Sequence, residues 1–359
     1  MGKADMEQIR IGIIGLGKMA RMCIRVFGEN HLTKVAAVCA RRQEQVSEAT
    51  AEFGVQGYTD SRQMLEKEKL DAVVVATPDN WHYDFARAAL EAGCHVFVEK
   101  PFTTKVVEAD ALLRLARQKN RKIQVAFNHR WLSAYNQAHA AIASGQIGTP
   151  LAGYARKNDT IVVSTRNIRW AGETTPAWLL SAHDIDLVRW FLSSEPVEAR
   201  AWGRKEVLVA RGIPTYDIIQ AQVRFASGAF VTFESGWIYP NTFPTPVDSF
   251  IQVIGSAGHV NLDRKRESFE ISTEQSFSYP KGFLSADIFG RLRGAFPSCL
   301  EDFVFAIVKD TTPRVTGFDG RQVTAALEAI HQSLENGGSN VAVTPPPADL
   351  SPNIQYTGR

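Results

Sequence analysis

A lysine that directly precedes a proline follows a short apolar run near residue 100, and its ammonium is the first candidate for chemistry. The run His95–Phe102 reads HVFVEKPF. Its β-branched and aromatic residues predict a buried strand. Glu99 and Lys100 would then lie at the carboxyl edge of a parallel sheet, where open α/β folds bind ligands. Because Pro101 restricts the backbone, we expect Lys100 to be held in place. The alternative is a solvated strand end.

The start of the chain carries a glycine turn between a strand pattern and a helix pattern. Ile9–Ile14 is rich in β-favouring residues, and the turn that follows reads GLGKMA. The spacing G-x-G-x-x-A binds dinucleotides when a strand precedes it and a helix follows. Gly15 permits the turn, Gly17 lets the backbone approach a pyrophosphate, and Ala20 allows close helix packing. The predicted cofactor-binding residues of this turn are Gly15, Gly17, Lys18, Met19 and Ala20.

The second predicted strand, Val35–Cys39, ends in arginines rather than in an acid. NAD-selective sites place Asp or Glu after this strand to accept the ribose 2′-hydroxyl. This chain has Ala40, Arg41 and Arg42 instead. Since a guanidinium binds a 2′-phosphate through bidentate, charge-assisted hydrogen bonds, Arg41 and Arg42 are predicted to bind the cofactor, and NADP is favoured over NAD. Alternatively, both arginines merely begin the next helix.

Another polar cluster follows the apolar strand pattern Ala72–Ala76. It contains Thr77, Pro78, Asn80 and His82. The carboxyl ends of parallel strands meet at one edge, so we expect Thr77, Pro78 and Asn80 to contact the cofactor. Two interpretations of His82 stay open, a contact with cofactor or substrate and a packed structural role at the start of the next helix.

The order of these patterns predicts two kinds of sheet. Strand and helix patterns alternate as far as Ile123–Phe127, which predicts a doubly wound parallel sheet. Strand patterns at Val197–Trp202, Ile218–Phe225, Ala229–Trp237 and Ser249–Gly255 follow one another without helices between them. Such spacing predicts an antiparallel sheet. Two late helices are predicted at Cys299–Val308 and Val323–Leu334.

Three motifs together resemble those of the glucose-fructose oxidoreductase/inositol dehydrogenase (Gfo/Idh/MocA) family of NAD(P)-dependent oxidoreductases. They are GLGKMA, ATPDNWH and ALEAGCHVFVEKPF. The resemblance implies an α/β Rossmann domain, assigned to residues 1–127, and an α+β domain with a large open sheet, mainly antiparallel, assigned to residues 128–343. It also implies that Glu99 lies near the nicotinamide ribose and that Lys100 is the catalytic lysine. Family members often form dimers or tetramers, so we expect a homodimer or homotetramer.

The chain after Asn128 supplies candidate substrate-binding residues. Asn128, Arg130 and Trp131 follow a sheet strand directly and are expected to line the cleft beside the cofactor. Arg130 could equally be a salt-bridged scaffold residue. Arg169 and Trp170 precede the next helix, and their side chains suit a carboxylate or phosphate and a sugar face, respectively.

The helix pattern Pro176–Phe191 contains His183 in register with the family's helix motif. By that resemblance, an Asp is expected four residues before the histidine, but Leu179 stands there. Asp184 would point about 100° away from His183, and Asp186 would lie on an adjoining face, where pairing with scaffold groups is expected. His183 titrates near neutral pH and could relay a proton or orient a hydroxyl; a structural histidine is the alternative.

The predicted reaction is hydride transfer between nicotinamide and a secondary alcohol or ketone of a sugar, cyclitol or related polyhydroxy compound. Lys100 would act as a base only if its pKa fell from about 10.4, whereas protonated Lys100 already suits the role of acid. His183 would assist. Two other functions stay open, an NAD-dependent glycoside hydrolase that oxidises its substrate transiently, and a non-catalytic dinucleotide sensor.

Composition limits the partners and the compartment. A net charge of +2 without any long basic run argues against nucleic acid and membrane surfaces as partners. No apolar stretch approaches a membrane span or a signal core, so a cytoplasmic protein is expected. The four cysteines lack metal-ligand spacing and are predicted to be reduced thiols, with no metal site. The Pro-rich tail, residues 344–359, is expected to be extended.

Overall fold

The computed structural model describes residues 8–351. They form two compact units. The first holds the described residues up to Thr103, together with Val107–Asn128 and Ser285–Arg321. The second holds Thr104–Val106, His129–Leu284 and the described residues from Gln322 onwards.

The described chain contains seventeen strands and nine α-helices. The strands are β1 Ile9–Ile14, β2 Thr33–Cys39, β3 Gln56–Tyr58, β4 Ala72–Val75, β5 His95–Val98, β6 Ile123–Val125, β7 Pro150–Thr160, β8 Pro196–Arg204, β9 Ile218–Phe225, β10 Phe230–Tyr239, β11 Val247–Gly255, β12 His259–Asp263, β13 Ile271–Ser272, β14 Phe277–Ser278, β15 Ala286–Ile288, β16 Arg291–Arg293 and β17 Val341–Ala342. The helices are α1 Lys18–Glu29, α2 Gln43–Phe53, α3 Ser61–Lys67, α4 His82–Glu91, α5 Val106–Lys119, α6 Ser133–Ala143, α7 Ala182–Leu192, α8 Ala295–Val308 and α9 Gly317–Glu335.

The first unit is built on a six-stranded parallel sheet in the order β3-β2-β1-β4-β5-β6. The strands β1, β4 and β5 are almost entirely buried, because crossover helices cover both faces of a doubly wound sheet. This order, in which the chain reverses direction across the sheet at β1, confirms the predicted Rossmann topology.

Helix α8 also belongs to the first unit, although the predicted domain ranges place it in the second. It packs on α1, and its Phe303 ring meets Phe97 of β5 edge-on with centroids 5.7 Å apart. The Gln124 side chain of β6 donates a hydrogen bond to the Cys299 carbonyl at 2.8 Å. The apolar side chains of α8 thus complete the core of the first unit, which sequence order does not reveal. The predicted division after residue 127 lies one residue from the division between Asn128 and His129.

The second unit is built on a seven-stranded sheet in the order β12-β11-β7-β10-β9-β8-β17. Its neighbouring strands are antiparallel except β7 and β10, which run parallel. The mainly antiparallel sheet was predicted, but the sequence patterns missed β7, an interior strand between β11 and β10. Lys157, Asn158 and Asp159 interrupt the apolar alternation of β7, so the strand pattern is hidden.

One face of this sheet is covered and the other is open. Helix α7 and the π-helical segment Ala177–Ser181 pack on the strands β7 and β10. Residues on the opposite face are exposed in alternation, including Trp202, Phe230 and Ile254.

Among the described residues, no helix combines the length and apolar character needed to cross a membrane. All four cysteines are buried thiols outside any disulfide bond.

Candidate active site

Three of the predicted motifs meet at one edge of the parallel sheet. Because β1, β4 and β5 are neighbours and run in the same direction, their carboxyl ends lie side by side. Gly15 follows β1, Thr77 follows β4 shortly after its end, and Lys100 follows β5. The structure therefore brings together in the first unit the glycine turn, the Thr77 loop and the candidate catalytic lysine.

Gly15 makes the turn that only glycine can make here. Its φ of +98° lies in the region that favours glycine, and a Cβ at this position would lie 2.3 Å from the Ala76 carbonyl oxygen. The Gly15 amide donates to the Cys39 carbonyl at 2.8 Å. This turn packs the end of β1 closely against the chain that leaves β4.

The N-terminus of α1 fits a dinucleotide pyrophosphate. Gly17 is the N-cap residue and supplies no side-chain cap, and no atom lies within 4 Å of the position that a Cβ would take. The first helical turn contains no acidic residue, and Ala20 is fully buried. Lys18 is exposed and Met19 is half-buried. Open backbone N–H groups at the positive end of the helix dipole are the donors that a phosphate requires.

The end of β2 presents two exposed guanidinium groups. Arg41 and Arg42 are both exposed, and the Arg42 Nε donates to Gln45 within α2 at 3.1 Å. Ala40 stands between Cys39, the last residue of β2, and these arginines. The placement leaves the Arg41 side chain at the surface, where it can reach a phosphate.

His82 joins the backbone segments that follow β4 and β5. Its Nδ1 lies 2.6 Å from the Pro101 carbonyl oxygen, its Nε2 lies 3.0 Å from the Thr77 carbonyl oxygen, and the residue is only 1% exposed. Burial lowers the pKa of His82. This placement gives His82 the packed structural role of the two predicted alternatives: it positions the Thr77 and Lys100 loops. Thr77 and Pro78 are half-buried and Asn80 is exposed.

The side chains of Glu99 and Lys100 differ in burial. The Glu99 carboxyl is buried, and its Oε2 accepts a long hydrogen bond of 3.3 Å from the Lys100 amide. Burial raises the pKa of Glu99 to about 7, although the Lys100 charge opposes this shift. Lys100 is half-buried and precedes Pro101 through a cis peptide bond. The lysine side chain is therefore the one of the two that remains accessible.

Asn128 follows β6 at the same carboxyl edge. It is 6% exposed, and its Oδ1 accepts no hydrogen bond from the residues that the structure describes. Its placement at the edge agrees with the prediction that it contacts a ligand.

In the second unit, His183 lies in the first turn of α7 and stacks on His129. The two imidazole rings are 4.1 Å apart at an interplanar angle of 21°. The Arg264 guanidinium approaches the His129 ring at 3.5 Å, and Arg264 forms a buried ion pair with Glu267 at 2.7 Å. His183 is half-buried, whereas His129 is 4% exposed. His183 is therefore the more accessible of the two stacked histidines.

Arg130 has the scaffold role that was one of its two predicted interpretations. It forms a bidentate ion pair with Asp186 of α7, at 2.9 and 2.5 Å. The guanidinium lies over the Trp190 ring, which stacks on His139 at 4.0 Å. Asp186 thus pairs with a scaffold group, as expected. A substrate contact of Arg130 stays a prediction.

Leu179 packs in an apolar cluster. Its neighbours include Trp237, Leu208 and Ala171, which are almost fully buried. A carboxylate would not match these apolar neighbours, because a polar group is unfavourable against apolar side chains that offer it no hydrogen bond. The surroundings of residue 179 are therefore adapted to leucine.

Three further residues were predicted to contact a substrate. Trp131 and Trp170 are half-buried, and Arg169 is exposed. Their contacts with a substrate stay predictions.

The sequence interpretation missed His129, Lys157 and Arg264, and it set Asp184 aside as a substitute for the absent carboxylate. Lys157 lies on the missed strand β7 and forms a buried ion pair with Asp184. Lys157 stands between Arg156 and Asn158 in the sequence YARKND, so no local signal marks it as buried.

The first unit thus defines the class, a dinucleotide-binding protein of the doubly wound type, and comparisons with known proteins define the family. Residues 9–127 match the oxidoreductase family with an NAD-binding Rossmann fold, and residues 135–261 match the GFO/IDH/MocA C-terminal domain. The chain belongs to this oxidoreductase family, which confirms the resemblance noted in the sequence.

Relatives of similar length agree with this membership. The chain is 25% identical to a myo-inositol 2-dehydrogenase of Thermotoga maritima, over 91% of this chain and 96% of that protein. It is 27% identical to a scyllo-inositol 2-dehydrogenase (NAD(+)) of Bacillus subtilis, over 98% and 99%. The crystal structure of scyllo-inositol dehydrogenase from Lactobacillus casei with NAD(H) and scyllo-inositol covers 94% of this chain and 99% of its own, with a TM-score of 0.81 and 23% identity. This last likeness shows the shared fold.

Proposed function

We propose that this protein is an NAD(P)-dependent dehydrogenase or reductase that acts on a secondary alcohol or ketone of a cyclitol, a sugar or a related polyhydroxy compound. The observation that carries the proposal is the meeting of the Gly15 turn and Lys100 at one sheet edge, in a chain of this oxidoreductase family. The substrate class is supported by the relatives, two of which are named inositol dehydrogenases.

The residues at the sheet edge would hold the cofactor. The open amides after Gly17 would bind the pyrophosphate, and Arg41 would bind a phosphate on the adenosine ribose. Thr77, Pro78 and Asn80 would line the nicotinamide half together with Glu99. When bound, the nicotinamide supplies the hydride acceptor or donor.

Lys100 would carry the proton of the reaction. In reduction, its ammonium donates a proton to the oxygen of the carbonyl as the hydride arrives at the carbon. In oxidation, the neutral amine accepts the proton of the hydroxyl. His183 would orient the hydroxyl, and Asn128 would donate or accept a further hydrogen bond to the substrate.

NADP is proposed as the preferred cofactor. The support is the exposed Arg41 together with Ala40 at the place where an acidic residue would select NAD. A cytoplasmic location is proposed on the four buried thiols outside any disulfide bond, which fit a reducing compartment.

A homo-oligomer is proposed on the open face of the second sheet. Trp202, Phe230 and Ile254 are 49%, 57% and 42% exposed and share this face. Apolar side chains on one broad surface favour a second copy of the chain as their cover.

The first experiment measures hydride transfer by nicotinamide absorbance across a panel of sugars and cyclitols, with wild type, Lys100→Met and the control Lys105→Met. Lys105 is an exposed lysine five residues later. We expect Lys100→Met to lower kcat by about 100-fold or more, since positioned proton transfer contributes that much, and Lys105→Met to behave as wild type. Wild-type activity in Lys100→Met contradicts the role of Lys100. Release of an aglycone without net absorbance change indicates the glycoside hydrolase instead, and nucleotide binding without any turnover indicates a sensor.

The second experiment titrates wild type and Arg41→Ala with NADPH and NADH. We expect wild type to bind NADPH more tightly, and Arg41→Ala to lose about tenfold in NADPH affinity because a charged hydrogen bond is removed. NADH affinity should change less than twofold. Tighter binding of NADH by wild type would refute the cofactor preference.

A further inference from the structure

A buried ion pair lies under the first turn of α7, directly beside His183. Lys157 belongs to the interior strand β7 and points to the covered face of the sheet. Its Nζ donates to Asp184 Oδ1 at 2.5 Å, and the two side chains are only 4% and 1% exposed. Asp184 follows His183 in the chain. The pair therefore joins the middle of the sheet to the helical turn that carries the candidate catalytic histidine.

The surroundings of this pair do not make it a strong source of stability. Ser249 of β11 and Ser235 of β10 stand in register with Lys157 on either side, and both are fully buried. Within residues 8–351, neither the Ser235 hydroxyl nor Asp184 Oδ2 has a hydrogen-bond partner. A buried pair repays its desolvation only when its remaining polar atoms are also satisfied. The Lys157–Asp184 pair therefore fits a positioning role better than a stabilising role.

The charges around the turn are arranged in pairs. Lys157 and Asp184 feel the Arg264 charge, and Lys157 also feels Asp159. Arg264 itself pairs with Glu267, which Lys281 approaches at 3.8 Å. On the adjoining faces of α7, Asp186 pairs with Arg130 and Arg189 pairs with Glu195. His129 supplies the stacked ring. Removing one member of the pair would therefore leave a net charge close to His183.

We propose that Lys157 and Asp184 are positioning residues that hold the first turn of α7 on the sheet. The His183 ring then stays stacked on His129, with no uncompensated charge of this pair beside it. The pair connects β7 to α7 at the residue next to His183. It supplies a fixed attachment for the turn in a chain where Leu179 stands in place of the carboxylate one turn earlier. The catalytic consequence rests on the function proposed above; the effect on His183 does not.

The two partners are expected to act on His183 with opposite sign. Burial lowers the pKa of Lys157 and raises that of Asp184, while their mutual attraction opposes both shifts. When Lys157 is removed, the Arg264 charge still favours the ionised form of Asp184, and that carboxylate favours the imidazolium. When Asp184 is removed, Asp159 still favours the charged form of Lys157, and that ammonium disfavours the imidazolium.

The test follows His183 by NMR in the whole protein with labelled histidines, in which His183→Asn identifies its signal among eight histidines. The variants are Lys157→Met, Asp184→Asn and the double variant. We expect the pKa of His183 to rise by about half a unit or more in Lys157→Met and to fall by a similar amount in Asp184→Asn. In the double variant, we expect loss of the ring-current shift that the His129 stack produces. Removal of the exposed pair Arg204–Glu206 serves as the control and should leave His183 unchanged.

The same variants separate this proposal from the proposed function. With an active substrate, we expect the double variant to lose at least about tenfold in kcat, with KM and nucleotide affinity within threefold of wild type. If the pKa of His183 shifts in the same direction in both single variants, or shifts in neither, the proposal is overturned. If a single variant does not fold, the double variant decides, and an unchanged His183 signal overturns the proposal. If no substrate is turned over but His183 responds as expected, the proposed function fails and this inference stands.

Discussion

At the scale of single residues, Glu99 shows how the end of β5 separates two charges. Its carboxyl is 7% exposed, whereas the ammonium that follows is accessible. The burial raises the pKa of Glu99 from its ordinary value of 4.5 to about 7. A carboxyl group with a raised pKa weakens the folded state once it must ionise. Glu99 therefore carries an electrostatic cost next to Lys100 that a neutral residue would avoid.

A pH series on Glu99→Gln tests this. Between about pH 4.5 and 7 folded Glu99 binds more protons than unfolded Glu99, so its contribution to wild-type stability falls as pH rises through that window, by up to about 3 kcal/mol. We expect Glu99→Gln to melt near the wild-type temperature at pH 4.5 and several degrees higher at pH 8. The exposed Glu66→Gln should follow wild type at both pH values. An equal difference at both pH values would show that Glu99 is not protonated near neutrality.

Leu179 shows what a motif can and cannot indicate at this scale. The register of the helix motif identified the departure from sequence alone. The reason lies in the cluster with Trp237 and Leu208, whose members come from distant parts of the chain. Periodicity predicts that a residue is apolar, but it does not identify the residues that it contacts.

At the scale of elements, the turn between β1 and α1 is the part of the fold that its sequence specifies most directly. Gly15 needs a positive φ, and Ala76 approaches closely. The strand and helix bounds predicted around it agree with the structure to within a few residues. Strand β7 was missed because its carboxyl half is polar although it is buried. Lys157 donates to Asp184 of α7 and Asn158 donates to Glu234 of β10, so these polar residues are explained only by tertiary packing.

Two glycines of α1 and its turn provide a matched test. We expect Gly15→Ala to weaken nucleotide binding at least about tenfold and to lower the melting temperature, since the new Cβ would clash with the Ala76 carbonyl in a strained backbone. Gly28→Ala lies in the same helix in open space and should stabilise the protein by about 0.5–1 kcal/mol. Calorimetry and nucleotide titration measure both. Normal binding by Gly15→Ala would show that this turn is not needed for the cofactor.

At the scale of the whole molecule, the open sheet face decides how the protein would assemble. Two rows of side chains share this face, one with Trp202, Glu234 and Arg156 and one with Phe230 and Ile254. Glu234 accepts hydrogen bonds from Tyr154, Asn158 and Gln220, which hold its carboxylate in place on this face. Such a face suits association with an identical face about a twofold axis.

Light scattering on Phe230→Glu tests the assembly. Wild type is expected to be a dimer or tetramer, and Phe230→Glu should dissociate at micromolar concentration because a carboxylate would be buried without a partner. Phe305→Glu is the control, since Phe305 is equally exposed but lies on α8 in the first unit. A monomeric wild type, or equal dissociation of both variants, would rule out the sheet face as the interface.

The sequence by itself determined the doubly wound sheet, the glycine turn, the lysine at the end of β5 and the family, because each depends on local periodicity or on residues close together in the chain. Tertiary structure alone decided that α8 completes the first unit, that His82 joins two loops, that Arg130 is paired with Asp186, and that Lys157 and Asp184 meet beneath His183. These outcomes depend on which distant side chains are desolvated together. Burial and pairing between distant residues leave no periodic signal in the chain.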